Sequence, residues 1–374
     1  MYRIKKKLYL NMSIILIPLF FFVVSFAIAY IMIPKIRTIA KVRSFHSLPN
    51  ERTSHQDAIP NVGGVAFYVC LMLSFHFVNT YDDLRIINSI IPGLTVLFII
   101  GLKDDLVLVS STTKMIAQIV AALFLVFDNS FHLTDLHGLF YLDRVHYFAS
   151  SFFTIFLVVS IINAFNLIDG IDGLAGFIAT IIFCSFAVIS FIIGDKTLFL
   201  ISIVALGAVI AFLRFNFSER YKIFMGDTGS LILGFVISII VLRFFAIEES
   251  SLLRMKLPLQ NWPFLLLSIL SIPLLDTSRV FLMRIYNGKS PFEADRNHIH
   301  HVILDYYNLS HFKVSLILAI LNIVIIGAFL PLVYLTNQWI CLTFTFLLFG
   351  ILILVVNRLK VKSLNKTIQT NEKK

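Results

Sequence analysis

Long apolar runs separated by short polar connectors make up almost the whole chain. Eleven can be marked, at 9–33, 62–79, 87–102, 113–127, 147–165, 174–194, 197–213, 229–247, 262–282, 314–335 and 337–356. Most approach the roughly 20 residues with which an α-helix crosses a hydrocarbon core. The pattern predicts an all-α polytopic integral membrane protein, a single domain over 1–374 with 11 transmembrane helices. The first run extends to Ile33, longer than the apolar core of a cleaved signal, so it reads as a first span. Residues 358–374 read as a short, basic, mobile tail.

Composition agrees. The 374 residues are 58% hydrophobic and 14% charged, with a mean hydropathy of +0.90, whereas soluble domains carry roughly 25% charged residues. The three cysteines, Cys70, Cys184 and Cys341, lie in apolar runs and read as packing residues. Alternate loops share a face, and Lys and Arg divide between the two faces 20 to 9. The richer face, which includes the C-terminal tail, is expected to be cytoplasmic. Arg3, Lys5, Lys6 and Lys7 oppose that orientation locally. The net charge of +10 on so apolar a chain suits anionic lipid and phosphate-bearing substrates rather than nucleic acid.

The face richer in Lys and Arg also gathers the residues with chemistry. Between Tyr147 and Gly194 the only charged residues are Asp169 and Asp172, both within Asn163–Gly176, NAFNLIDGIDGLAG, where two runs meet. Carboxylates at a membrane are costly and call for a reason. Gly101–Lys114, GLKDDLVLVSSTTK, sets Asp104 and Asp105 ahead of Lys114. The pair reads as a solvated helix end or as a base beside a cation; the lysine snorkels to headgroups or meets phosphate. Tyr221–Leu231, YKIFMGDTGSL, flanks Asp227 with glycines, giving either a helix N-cap or hard oxygen for a magnesium ion. Phe224 is a packing residue or a surface for a base. Pro291–His301, PFEADRNHIHH, clusters Asp295, Arg296, His298, His300 and His301. Donors to a diphosphate fit this cluster better than zinc ligands do, since no cysteine is near. Arg52–Gly64, RTSHQDAIPNVGG, enters the second run through paired glycines. A transporter would bury its ionisable groups along the spans, so the pattern favours an enzyme working at one membrane face.

In this order the segments R-x-S-H…P…GG, DD with Lys nine residues on, N-x-x-N-L-x-D-G-x-D-G, F-M-G-D-T-G-S and D-x-x-H-x-H-H resemble the polyprenyl-phosphate N-acetylhexosamine-1-phosphate transferases over about 52–301. The histidine arrangement and eleven runs look most like the bacterial undecaprenyl-phosphate GlcNAc-1-phosphate branch. The phospho-N-acetylmuramoyl-pentapeptide branch is the alternative, and a transporter or flippase a distant one.

The resemblance implies transfer of a sugar-1-phosphate from a UDP-sugar to polyprenyl phosphate with release of UMP. It also implies a cytoplasmic active site in the inner membrane, Mg²⁺ as cofactor with Mn²⁺ as a candidate substitute, and the lipid bilayer as surroundings. A homo-oligomer is a further candidate. Asn166 and Asp227 match the magnesium ligands. Asp104 matches the group that engages the lipid phosphate, with Asp105 in support, and Lys114 the lysine on the diphosphate. Asp172 with Asp169 falls where uracil is read, and Phe224 where an aromatic stacks on it. Asn163, Arg296, His298 and His300 join the substrate-binding set, and His301 the catalytic one. Leu108 and Asn61 depart from the family pattern, which has an acid and an arginine there.

Overall fold

The computed structural model describes residues 2–42, 59–78, 84–128, 131, 133, 135–247, 249–290 and 295–371. Fourteen helices are present among them: α1 Tyr2–Val42, α2 Gly64–Val78, α3 Leu84–Leu106, α4 Ser111–Val126, α5 Tyr147–Ile168, α6 Leu174–Ile193, α7 Lys196–Asn216, α8 Gly226–Ala246, α9 Glu249–Leu252, α10 Trp262–Ile269, α11 Ser271–Tyr286, α12 Ile299–Tyr307, α13 His311–Leu335 and α14 Gln338–Asn371. Eight of the described helices are long and apolar enough to cross a membrane, or nine if α10 and α11 count as one bent span. Shorter apolar helices lie at Gly64–His76 and Ser111–Val126. The architecture is that of an all-α polytopic membrane protein.

The core is built around α8. Its sequence is apolar on every side, so it is buried nearly throughout, against α3, α5 and α2. Small residues allow the approach, as is usual where lipid supplies no hydrophobic drive. A Cβ at Gly64 of α2 would lie 2.0 Å from the Gly229 amide nitrogen of α8, and one at Gly234 would lie 2.8 Å from Ile162 Cα of α5. Outside this core α1 packs on α7, tied by Ser25 Oγ donating to the Val204 carbonyl at 2.7 Å. Phe148, Phe152, Phe153 and Phe156 of α5 are exposed, as is much of α14.

Three expectations change. The run 262–282 is not one straight span: α10 and α11 meet at a 78° bend. Pro273 lacks the N–H that would bond the Ile269 carbonyl in a continuous helix. Asn322 of α13 supplies that donor, its Nδ2 lying 3.2 Å from Ile269 O, while its Oδ1 accepts from Ser271 Oγ at 3.1 Å and Ile272 N at 3.4 Å. A broken helix at membrane depth is tolerated where protein satisfies the freed backbone.

The stretch 128–146, which carries no element signal, contains an antiparallel hairpin, β1 Asp135–Leu139 and β2 Leu142–Arg144. Its turn residues Phe140 and Tyr141 have φ of 54° and 64°, the twist favoured in two-residue hairpins but without the usual Asn or Gly. The residues after 358 are not a loose tail either. They continue α14 as helix to Asn371, and Lys360 Nζ contacts Asn297 Oδ1.

Replacing Asn322 by leucine should cost about 1–3 kcal/mol, since a buried carbonyl and amide lose their partner. The thermal midpoint in detergent should fall; an unchanged midpoint would show that Pro273 alone maintains the break.

Candidate active site

At one end of the bundle α3 and α5 finish while α4, α6 and α8 begin. Lys114, in the first turn of α4, reaches across to α3 and α8. Its Nζ donates to Asp104 Oδ2 at 2.8 Å and to Asp227 Oδ2. Asp104 Oδ1 also accepts from the Val109 amide at 2.7 Å, which folds the α3–α4 connection back on itself. Asn166, near the end of α5, donates to Asp227 Oδ1 at 3.3 Å and Ser230 Oγ at 2.8 Å. Four elements therefore deliver Asp104, Lys114, Asn166 and Asp227 to one point.

Asp105, next to Asp104, does a different job. Its Oδ1 accepts from the Asp227 amide at 2.8 Å, and its Oδ2 from the Thr228 amide at 3.0 Å and the Thr228 hydroxyl. It is the cap of α8, supplied from α3 to the free amides of the helix end. Gly226 makes room for it with a φ of +72°; a Cβ there would lie 2.6 Å from both Asp105 oxygens.

The loop before α8 is held by two partners. Pro60–Gly64 lies alongside it: Phe224 N donates to Pro60 O at 2.9 Å, and Gly63 N and Gly64 N donate to Phe224 O and Met225 O, each at 3.0 Å. Arg52 and His55 of that motif lie outside the described residues, as does 291–294. Asn216, buried at the end of α7, donates to Ile223 O at 2.9 Å and accepts from Gly173 N at 2.6 Å, joining this loop to the turn after α5.

In that turn Asp169 is the C-cap position of α5, half-buried. Burial, then the charges of Asp227, Asp105 and Asp172, push its carboxyl well above the usual range. Asp172 is pulled the other way. Burial acts to raise it, but Nδ1 of His311 at 3.2 Å and Lys222 Nζ at 2.6 Å outweigh that, and it lies below the usual range. Lys222 Nζ also lies 5.6 Å from the Phe224 ring centroid. Asp172 and Phe224 are thus brought together through Lys222.

The histidine loop closes over this turn. Arg284 clamps Asp295 through Nε at 3.0 Å and Nη2 at 3.1 Å, and Asp295 also accepts from Asn297 N at 2.9 Å. Burial would raise the Asp295 carboxyl, but these bonds hold it well below its ordinary value. His300 packs on the turn after α5, since a Cβ at Gly170 would lie 2.2 Å from its Nε2. Burial, then the neighbouring His301, pushes the His300 imidazole well below its ordinary value; burial, then Arg296 and His298, lowers His301 to about 4. Both are therefore neutral near pH 7. His298 Nε2, both nitrogens of His300 and Nδ1 of His301 are buried without a hydrogen-bond partner among the described residues. Buried imidazole nitrogens call for a ligand.

Two expected residues stay apart from the cluster. Arg296 is exposed and pairs with Asp305 at 3.1 Å. Asn163 donates to Gln118 Oε1 at 2.7 Å and Val159 O at 2.8 Å, tying α5 to α4 one turn inside the site. Sequence reasoning missed Gln118, Asn216, Lys222 and His311, while Ser230 closes the F-M-G-D-T-G-S motif. Gln118 and Asn216 were discoverable as amides within apolar runs; Lys222 and His311 carry no signal outside the fold.

No three His, Cys, Asp or Glu side chains among the described residues are grouped so as to hold a metal, which argues against zinc at the histidines. Hard oxygen is available from Asp227 and the Asn166 amide. Magnesium is commonly held by one or two protein oxygens completed by substrate phosphate. Asp104 and Asp227 both lean on Lys114, with Asp105 and Asp169 close by, so a divalent cation fits the charge of the site.

Residues 87–245 match the family described as glycosyl transferase family 4. An Escherichia coli protein named undecaprenyl-phosphate alpha-N-acetylglucosaminyl 1-phosphate transferase is 30% identical over 322 residues, 84% of this chain and 85% of that protein. A Haemophilus influenzae protein of the same name is 30% identical over 333 residues, 87% and 90% of the two chains.

Asp105→Ala should lower the thermal midpoint by removing the acceptor of two amides and a hydroxyl, about 1–3 kcal/mol for a group so orphaned. Asp104→Asn should leave that midpoint close to wild type. Equal midpoints would erase the division between a cap and a reacting carboxylate. Gly170→Ala should displace His300 and weaken UDP-sugar binding in a still-folded protein, as calorimetry would read.

Proposed function

The chain belongs to glycosyl transferase family 4, and on that premise we propose that it transfers N-acetylglucosamine-1-phosphate from its UDP-sugar to undecaprenyl phosphate. UMP and the lipid-linked diphosphate sugar are the products. The observation that carries this reading is the Lys114 bridge between Asp104 and Asp227, facing Asn166, with buried unpartnered histidines beside it. It is a site for two phosphate-bearing molecules that repel each other.

Asp104 engages the lipid phosphate, and Lys114 shifts from carboxylates to diphosphate oxygens as substrate enters. Asn166 and Asp227 would hold a magnesium ion, whose charge would offset that of the diphosphate. The histidines donate to phosphoryl oxygens, and Asp172 with Phe224 receives the uracil once Lys222 yields. A phosphate monoester is already a nucleophile and needs position more than activation. Direct attack on the sugar-linked phosphorus, with UMP leaving, is therefore favoured over an aspartyl-phosphate route. With the bent α10–α11 pair and the short helices α2 and α4 counted as spans the number reaches eleven, and the bias of Lys and Arg then supports a site on the cytoplasmic face of the inner membrane.

The purified protein should release UMP only when given Mg²⁺, undecaprenyl phosphate and a UDP-N-acetylhexosamine together. UMP with the muramoyl-pentapeptide donor alone would select the peptidoglycan branch, and none with any donor would sink the transferase reading. Asp104→Asn should abolish turnover while sparing UDP-sugar binding; a normal rate would cancel its role. Because His300 and His301 are neutral when no anion is bound, a diphosphate raises their proton affinity and takes up protons. Binding should tighten as pH falls from neutrality toward the His301 value of about 4, and its heat should vary with the ionisation enthalpy of the buffer. Buffer-independent heats would refute the contact.

A further inference from the structure

Asp276 and Arg279 lie on α11, one turn apart, and are almost wholly buried. Neither falls in the motifs that point to the reaction. Asp276 Oδ1 accepts from Arg279 Nη2 at 2.7 Å and from the Ile299 amide at 3.0 Å. Its Oδ2 lies 2.9 Å from His298 Nδ1. Arg279 Nη2 also donates to the Asn297 carbonyl.

A carboxylate facing a guanidinium and an amide N–H is ionised, and it can only accept. The shared proton therefore sits on His298 Nδ1, which leaves Nε2 as the atom available to a ligand. That Nε2 is buried and has no hydrogen-bond partner among the described residues. The His298 ring stacks on His300 at 5.8 Å between centroids and 16°, and His300 rests on Gly170, next to Asp169.

We propose that Asp276, itself charge-balanced by Arg279, is a positioning residue that holds the His298 ring through Nδ1 and turns Nε2 toward the substrate, where the imidazolium, carrying a proton on each nitrogen, donates its Nε2–H to a phosphoryl oxygen. This rests on the transferase reading. The bend between α10 and α11 acquires a use on this view, because it carries the Asp276 turn beneath the histidine loop. Asp276 holds His298 as a second partner holds the ring of a metal-bound or triad histidine, by binding the nitrogen that does not react.

The test is a double-mutant cycle on the full-length enzyme, with UMP release and thermal midpoint read for each variant. Asp276→Asn should lower kcat about 10–100-fold in the wild-type background. In a His298→Ala background it should add less than about twofold, because coupled residues are not additive. The midpoint should drop in both backgrounds, because Asp276 also holds Arg279 and the Ile299 amide. Asp276→Glu keeps the charge beside Arg279 and moves the carboxylate, so it serves if the asparagine variant does not fold; the same pattern is expected. Equal losses of kcat in both backgrounds would reduce Asp276 to a structural counter-ion and overturn the proposal. A wild-type enzyme that releases no UMP from any donor would instead refute the transferase reading.

Discussion

One lysine carries the electrostatics of the site. Lys114 binds Asp104 and Asp227 at once, with Asp105 and Asp169 nearby. At a separation of 4 Å and an effective dielectric of 20, two unit charges interact by about 4 kcal/mol. Carboxylates that close to each other resist assembly unless a cation sits between them. The ends of α3, α4 and α8 therefore meet where they do because Lys114 spans all three. Lys114 is thus the cation around which the carboxylates of the site are arranged.

Around that bridge the backbone is held by buried polar side chains rather than by water. Asp105 caps α8, Asn216 links the turn after α5 to the loop before α8, and Asn322 replaces the donor that Pro273 lacks. Each stands where an unpaired amide or carbonyl in an apolar interior would cost free energy. The result is rigid short segments at the membrane face, which is what a reaction governed by positioning demands.

The histidine loop is fastened separately, by Arg284 on Asp295 and by Asp276 on His298, yet it rests on Gly170 of the central turn. This explains why Gly170 has no side chain, and burial, which strips solvation, explains why His300 is neutral. Arg296 and Asn163 make other contacts: Arg296 pairs with Asp305 from the irregular segment before α12, and Asn163 meets Gln118 one turn deeper along α5 than Asn166.

Read alone, the chain already determined its class and most of the residues that gather at one end of the bundle. Apolar runs near the bilayer thickness, the bias of Lys and Arg, and the clustering of Asp104, Asp105, Lys114, Asn166, Asp169, Asp172, Asp227 and the histidines are local properties of composition and spacing. The division of labour between Asp104 and Asp105 needed the fold, because adjacent carboxylates are chemically identical until α8 places its free amides against one of them. The pairing of Asp172 with Lys222 and His311, the reach of Asp276 to His298 across 22 residues, and the break at Leu270 likewise depended on contacts between elements distant in sequence. Spacing does not record which helix ends converge. Packing around a glycine-notched α8 decides it.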